Sequence, residues 1–202
     1  MEINVLAVSK KHGTEKIRRL RELGQVAFGE NRIQEALPKI EELGSSGFEW
    51  HFIGPLQSNK TREAATAFSW VQSVDRQKIL ARLSSQRPEN MPPLNILVQV
   101  NIDREPQKVG VLPEQAIDLV SAAQAMPNLR LRGLMSIPEA ASPDHDPDDS
   151  FKRMHELFLQ LIGAGFEMDT LSMGMSADLE SAIMHGSTMV RVGTDLFGPR
   201  PG

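Results

Sequence analysis

The chain has 202 residues, 40% of them hydrophobic and 24% charged, enough to bury one substantial core, and no Gly/Ser/Pro linker divides it, so residues 1–202 are expected to form a single domain. A formal net charge of -4 at pH 7 argues against nucleic acid as a partner, and the cluster Lys16, Arg18, Arg19 and Arg21 reads as a solvated helix face. The absence of cysteine excludes disulfides, thiolate catalysis and thiolate-bound metals, and the start Met1-Glu2-Ile3-Asn4-Val5-Leu6-Ala7-Val8 has no basic segment and reaches Lys10 too soon for a signal peptide or a membrane span, so a cytoplasmic location is expected.

Taken in chain order, short apolar or β-branched runs alternate with helical patterns. Eight strands are predicted: Val5–Lys10, Val26–Glu30, Trp50–Ile53, Trp70–Ser73, Ile96–Asn101, Arg132–Ser136, Thr170–Gly174 and Met189–Gly193. Seven helical stretches lie between them. One runs from Pro113 to Ala125 and opens on proline, which suits a first helical turn. The clearest runs from Ser150 to about Ile162, where Phe151, Met154, Leu157, Phe158, Leu161 and Ile162 recur at spacings of three and four. Asp148, Asp149 or Ser150 is its expected cap, and Gly163 its expected end. After the last strand only Phe197-Gly198-Pro199-Arg200-Pro201-Gly202 remains, too short and too rich in proline for an eighth helix.

Repeated strand–helix units of this kind close most naturally into a (β/α)8 TIM barrel, whose chemistry sits at the C-terminal ends of the strands. An open doubly wound sheet is the alternative. No Gly-x-Gly-x-x-Gly follows the first strand and no Gly-x4-Gly-Lys-Ser/Thr occurs, so its nucleotide-binding forms lose support.

Alternation along the first strand puts Lys10 on the side of Leu6 and Val8. Either it points into the barrel, where desolvation would lower its pKa and free an amine for Schiff-base formation, or it curls out to solvent beside Lys11. Arg191 on the last strand is inward by the same rule and needs an acceptor: a core ion pair, or an anion near Gly193 and Thr194. Ser176 falls near the start of a helix and is either an anion ligand or an ordinary cap. The loop Pro143-Asp144-His145-Asp146-Pro147-Asp148-Asp149 contains metal-ligand residue types but reads as solvated, so no metal is expected. His12 and His155 are expected on the surface, and Met135, Met173 and Met175 in packing. Lys60 is a rival imine-forming lysine by position.

Six segments carry a family resemblance: Ala7-Val8-Ser9-Lys10, Phe28-Gly29-Glu30-Asn31, Trp50-His51-Phe52-Ile53-Gly54-Pro55-Leu56-Gln57-Ser58-Asn59-Lys60, Arg132-Gly133-Leu134-Met135, Met173-Gly174-Met175-Ser176 and Val190-Arg191-Val192-Gly193-Thr194. In them the chain resembles the YggS/PROSC family of pyridoxal phosphate homeostasis proteins, which are similar to the N-terminal barrel domain of alanine racemases. The resemblance implies pyridoxal 5'-phosphate (PLP) held as an internal aldimine on Lys10. It further implies that Ser176, Gly193 and Thr194 hold the phosphate, that Arg191 faces the pyridine nitrogen, and that Asn31, His51, Met135 and Ser172 line the pocket.

The similar racemases use a tyrosine from a further domain as second acid/base, and related decarboxylases use a cysteine; this chain has neither. Without a second proton-transfer group a factor of roughly 10² to 10⁴ in rate is forgone. A non-catalytic, monomeric PLP carrier in vitamin B6 homeostasis, with PLP-dependent apo-enzymes as the class of recipient, is therefore the expectation, and a weak amino-acid racemase the alternative. Members of the family usually have a helix before the first strand, missing here, so an uncovered apolar face is expected around Val5, Ala7, Val190 and Val192.

Overall fold

A computed structural model describes residues 3–139, 142 and 145–198. Strands and helices alternate throughout: β1 (Asn4–Val8), α1 (Thr14–Glu22), β2 (Ala27–Glu30), α2 (Ile33–Leu43), β3 (Glu49–Phe52), α3 (Thr61–Ala67), β4 (Trp70–Val74) and α4 (Gln77–Gln86) form the first half. The second half comprises β5 (Leu94–Val100), α5 (Ala116–Gln124), β6 (Leu129–Ser136), α6 (Pro147–Gly163), β7 (Thr170–Met175), α7 (Leu179–Met184), β8 (Met189–Val192) and α8 (Thr194–Phe197). The eight strands form a closed parallel barrel in sequence order, with β8 returning to β1 in the register Leu6↔Arg191. This is the (β/α)8 architecture that the alternation of patterns predicts.

Two-residue periodicity divides every strand between two environments. Ala7, Phe28, Trp50, Phe52, Val71, Ile96, Val98, Leu134 and Leu171 belong to the core between sheet and helices, whereas Trp70, Leu97 and Met135 form a separate small cluster inside the barrel. Other interior positions are polar: His51, Gln72, Ser172 and Arg191 are all buried there.

Five expectations need correction. Helix α6 begins at Pro147, and its cap is Asp146, whose carboxylate accepts the Asp148 amide at 3.0 Å. The first strand ends at Val8, two residues before Lys10, because the chain turns at once, with the His12 amide donating to the Ser9 carbonyl at 3.0 Å and Lys11 at φ 64. A one-turn helix, α8, follows β8 after all: Phe197 is buried and stacks on His12 with ring centroids 4.9 Å apart, so His12 is buried rather than on the surface. Of the four outer residues expected to be uncovered, only Val5 is; Ala7, Val190 and Val192 are buried. Val190 lies with Ala182 of α7 against Gly174.

Gly133 shows how tightly the barrel wall is set. It has φ +150, and a Cβ there would lie 1.9 Å from the Thr170 carbonyl oxygen of the neighbouring strand. Gly133→Ala is expected to lower stability by about 2 kcal/mol, from backbone strain and the displaced carbonyl, measured as a lower urea midpoint with an unchanged m-value.

Candidate functional site

The C-terminal ends of the strands surround a cavity of about 360 Å³. Val8 and Lys10 reach it from the end of β1, Asn31 from β2, Ile53, Gly54 and Pro55 from β3, and Ile137 from β6. Met175 ends β7 and Ser176 and Ala177 follow it, and Arg191, Gly193 and Thr194 come from the end of β8. Gly54 is required by close approach: a Cβ there would lie 2.0 Å from the Asn31 carbonyl oxygen. Ser73 fixes the same turn by donating its hydroxyl to the Gly54 carbonyl at 2.5 Å.

Lys10 is placed by a buried charge cluster beneath its turn. The Lys39 ammonium donates to the Ser9 carbonyl at 3.0 Å, to Glu30 at 2.7 Å and to Glu35 at 2.8 Å. The Ser9 hydroxyl donates to the same Glu30 oxygen at 2.6 Å, and the Lys11 amide donates to Glu35. Burial pushes the Glu30 carboxyl above the ordinary range, with the Lys39 ammonium and the Ser9 hydroxyl acting against it. Burial also acts to raise Glu35, but there the Lys39 ammonium and the Lys11 amide prevail and hold it below the usual carboxylate value.

A pH dependence follows for the turn. A carboxyl whose pKa is depressed on folding contributes stability above its unfolded value, lost as pH falls through the folded value. The Lys11 amide resonance is expected to titrate with a midpoint below the ordinary 4.5 of a glutamate, and not to titrate in Glu35→Gln.

Arg191 supplies the cation at the bottom of the cavity. It is 4% exposed, and its Nη1 donates to the carbonyl and hydroxyl of Ser172 at 2.9 and 2.8 Å while Nη2 donates to the Ser136 carbonyl at 2.8 Å. No carboxylate among the described residues lies within ion-pair distance of it. Burial pulls its pKa down to about 10, with the more distant Asp178 carboxylate acting against the shift, so it remains charged at neutral pH. The core ion pair considered from the sequence is therefore not what satisfies Arg191.

Of the nine site residues expected from the sequence, Lys10, Asn31, Ser176, Arg191, Gly193 and Thr194 line the cavity together. His51, Met135 and Ser172 lie one layer lower, wholly buried inside the barrel. Ser172 reaches the site through Arg191, His51 stacks on Trp70 with centroids 5.0 Å apart, and Met135 packs with Trp70 and Leu97. Lys60 pairs with Glu63 at 2.9 Å and is not among the lining residues. Sequence reasoning did not single out Lys39, Glu35 or Gln72. Lys39 and Glu35 sit four apart on α2, a spacing that was available as a signal. Pro143 and Asp144 of the acidic loop lie outside the described residues, and among those described no group of three His, Asp or Glu gathers as a metal site. No helix among the described residues is long and apolar enough to cross a membrane.

Residues 2–201 match the family described as alanine racemase, N-terminal domain. The chain is 51% identical over 198 residues to the pyridoxal phosphate homeostasis protein of Pseudomonas aeruginosa, covering 98% of this chain and 85% of that protein. It is 47% identical over 202 residues to the protein of the same name from Escherichia coli K12, covering 98% and 86%. Among solved structures, PipY of Synechococcus elongatus with PLP bound superposes with a TM-score of 0.88 at 34% identity, covering 97% of this chain and 92% of that one. The closed barrel, the cavity at its C-terminal mouth and these likenesses agree: the chain belongs to the alanine racemase N-terminal domain family and, within it, to the pyridoxal phosphate homeostasis proteins.

Proposed function

We propose that this protein is a single barrel domain that holds PLP at the C-terminal mouth of the barrel, anchored on Lys10, and that it stores or delivers the cofactor rather than using it in catalysis. The observation that carries the reading is that a lysine and a buried guanidinium, Lys10 and Arg191, line one cavity, with no carboxylate among the described residues within ion-pair distance of Arg191. A cavity of about 360 Å³ suits a small ligand. Val8, Ile53, Ile137 and Met175 give it apolar walls for a flat ring, while Ser176, Thr194 and the Gly193 backbone offer donors for a phosphate. The buried Ser136 hydroxyl, which has no partner among the described residues, adds a polar group next to Arg191. The same ligand is named for the similar PipY structure.

When bound, PLP would be held by Lys10, Ser176, Gly193 and Thr194 and would supply an aldehyde open to the Lys10 amine. Every other contribution belongs to the chain. The Ser9–Lys39–Glu30 cluster fixes the turn that carries Lys10, and Arg191, always protonated at neutral pH, donates toward the ring but does not pass a proton to it.

The carrier role is supported by what the cavity lining lacks. Of its thirteen residues only Lys10 and Arg191 are titratable, and the chain contains neither tyrosine nor cysteine. Among the described lining residues no second titratable group accompanies Lys10 and Arg191 to move a proton. We further propose that the protein works as a monomer in the cytoplasm and that PLP-dependent apo-enzymes receive its cofactor.

Amino-acid turnover tests the non-catalytic part of the proposal. PLP-loaded protein is expected to racemise alanine or serine no faster than free PLP at the same concentration. Saturable turnover well above free PLP, lost in Lys10→Ala, would show a weak racemase instead.

A further inference from the structure

Beneath the cavity, side chains from four strands form one file of hydrogen bonds through the inside of the barrel. Arg191 Nη1 donates to Ser172 Oγ at 2.8 Å, and Ser172 Oγ donates to Gln72 Oε1 at 2.8 Å. Gln72 Nε2 meets His51 Nδ1 at 2.9 Å, and His51 Nε2 meets Glu49 Oε1 at 2.8 Å. Gln72, His51 and Ser172 are fully buried. The Glu49 side chain is 47% exposed and opens onto a second cavity, of about 350 Å³ and shared with Trp70, Arg132 and Met189. Glu49 begins β3 and Arg191 lies near the end of β8, so the file joins the two opposite mouths of the barrel.

The donors in this file all point the same way, and the direction follows from its ends. The hydrogen bond from His51 holds Glu49 below the usual carboxylate range, so it is ionised and can only accept. His51 Nε2 therefore carries its proton. Burial lowers His51 and keeps the ring neutral, against the pull of Glu49 and with the nearby Arg132 cation adding to the lowering. A neutral ring protonated on Nε2 has Nδ1 as an acceptor, which requires the amide nitrogen of Gln72 on that side and its oxygen toward Ser172. Ser172 must then donate to Gln72, leaving a lone pair for Arg191. One assignment satisfies every group, running from guanidinium to carboxylate.

Interiors of such barrels are normally filled by branched apolar side chains, and buried polar groups are unfavourable unless every member is satisfied. Satisfied files of this kind polarise each bond in turn. Among the described residues Arg191 has no carboxylate at contact distance, and the file connects it to the charge of Glu49. Arg132, which stacks over Trp70 at 4.6 Å and pairs with Asp169 at 2.7 Å, is the charged neighbour at the lower end; Asp178 acts on Arg191 at the upper end.

We propose that Ser172, Gln72, His51 and Glu49 are positioning residues for Arg191, holding its guanidinium at the bottom of the cavity and carrying the negative charge of Glu49 from the far mouth to the group that Arg191 faces. The inference rests on the PLP reading of the cavity. It makes a half-exposed carboxylate outside that cavity part of its affinity.

The test uses the intact protein, with PLP affinity measured at neutral pH and the His51 ring nitrogens followed by NMR. In the wild type the ring is expected in its Nε2–H form and its nitrogen shifts to move when PLP is added. Gln72→Leu is expected to weaken PLP binding by about tenfold and Glu49→Gln by about fivefold, on the scale of a charge-assisted bond lost within a network, and the PLP-induced shift of His51 to vanish in Gln72→Leu. Glu49 is exposed enough for Glu49→Gln to fold even if Gln72→Leu does not. If wild type binds PLP while the shift of His51 is absent and Glu49→Gln binds as tightly, this inference fails alone. If wild type binds no PLP, the reading of the cavity fails and this inference with it.

Discussion

Lys39→Met is expected to lower stability by about 3–5 kcal/mol, the usual consequence of leaving one member of a buried ion pair without the other. Lys39 is 8% exposed and Glu30 wholly buried. Without the ammonium, Glu30 retains, among the described residues, the Ser9 hydroxyl as its hydrogen-bond donor. Glu35 would also lose one of the groups that hold it below its ordinary value. The Ser9 carbonyl would lose its tie to α2, so the turn that presents Lys10 should loosen as the domain weakens. Urea unfolding at neutral pH gives the first effect, and PLP retained after dialysis gives the second. The double variant Glu30→Gln/Lys39→Met is expected to recover stability relative to Lys39→Met, because it removes the stranded charge; its failure to do so would move the cause to packing around α2.

Arg191→Met is expected to separate stability from binding. Burial lowers the Arg191 pKa to about 10, so keeping it charged inside the barrel costs on the order of 3 kcal/mol. A methionine of similar length removes that penalty and leaves acceptors of Ser172 and Ser136 without a donor, a loss of about 1–3 kcal/mol for each unsatisfied group. The two effects oppose one another, and the urea midpoint should change little. PLP affinity should nevertheless fall by about tenfold or more, since a buried cation facing the ligand has gone. Large destabilisation with unchanged affinity in the folded fraction would identify Arg191 as a structural residue only.

The fold was largely legible in the sequence because period-two apolar runs and helical stripes are local signals. Boundaries were less so. The pattern carried β1 on to Lys10, whereas the left-handed Lys11 and the hold of Glu35 on its amide end the strand at Val8. The short helix α8 was missed because residues 194–197 have no stripe long enough to detect; it is fixed by Phe197 against His12.

Six of nine candidate residues meet at one cavity because strand ends converge in a closed barrel, a consequence of topology that the sequence could supply once the eight strands were counted. His51, Met135 and Ser172 were placed at the same level as the others, but alternation tells which way a side chain points and not how deep along the axis it sits. The ties of Lys39 to Glu30 and Ser9, and the links of Gln72 to His51 and Ser172, join residues 9 to 100 positions apart, which no local pattern encodes.

The most direct test of the central claim is borohydride reduction of PLP-treated protein followed by peptide mapping, with wild type beside Lys10→Ala. The account predicts a visible absorption band in wild type that reduction removes, one stable pyridoxyl adduct on the peptide containing Lys10, and neither in Lys10→Ala. An adduct on Lys60 or another lysine at equal yield in both proteins, or no adduct in either, would contradict it.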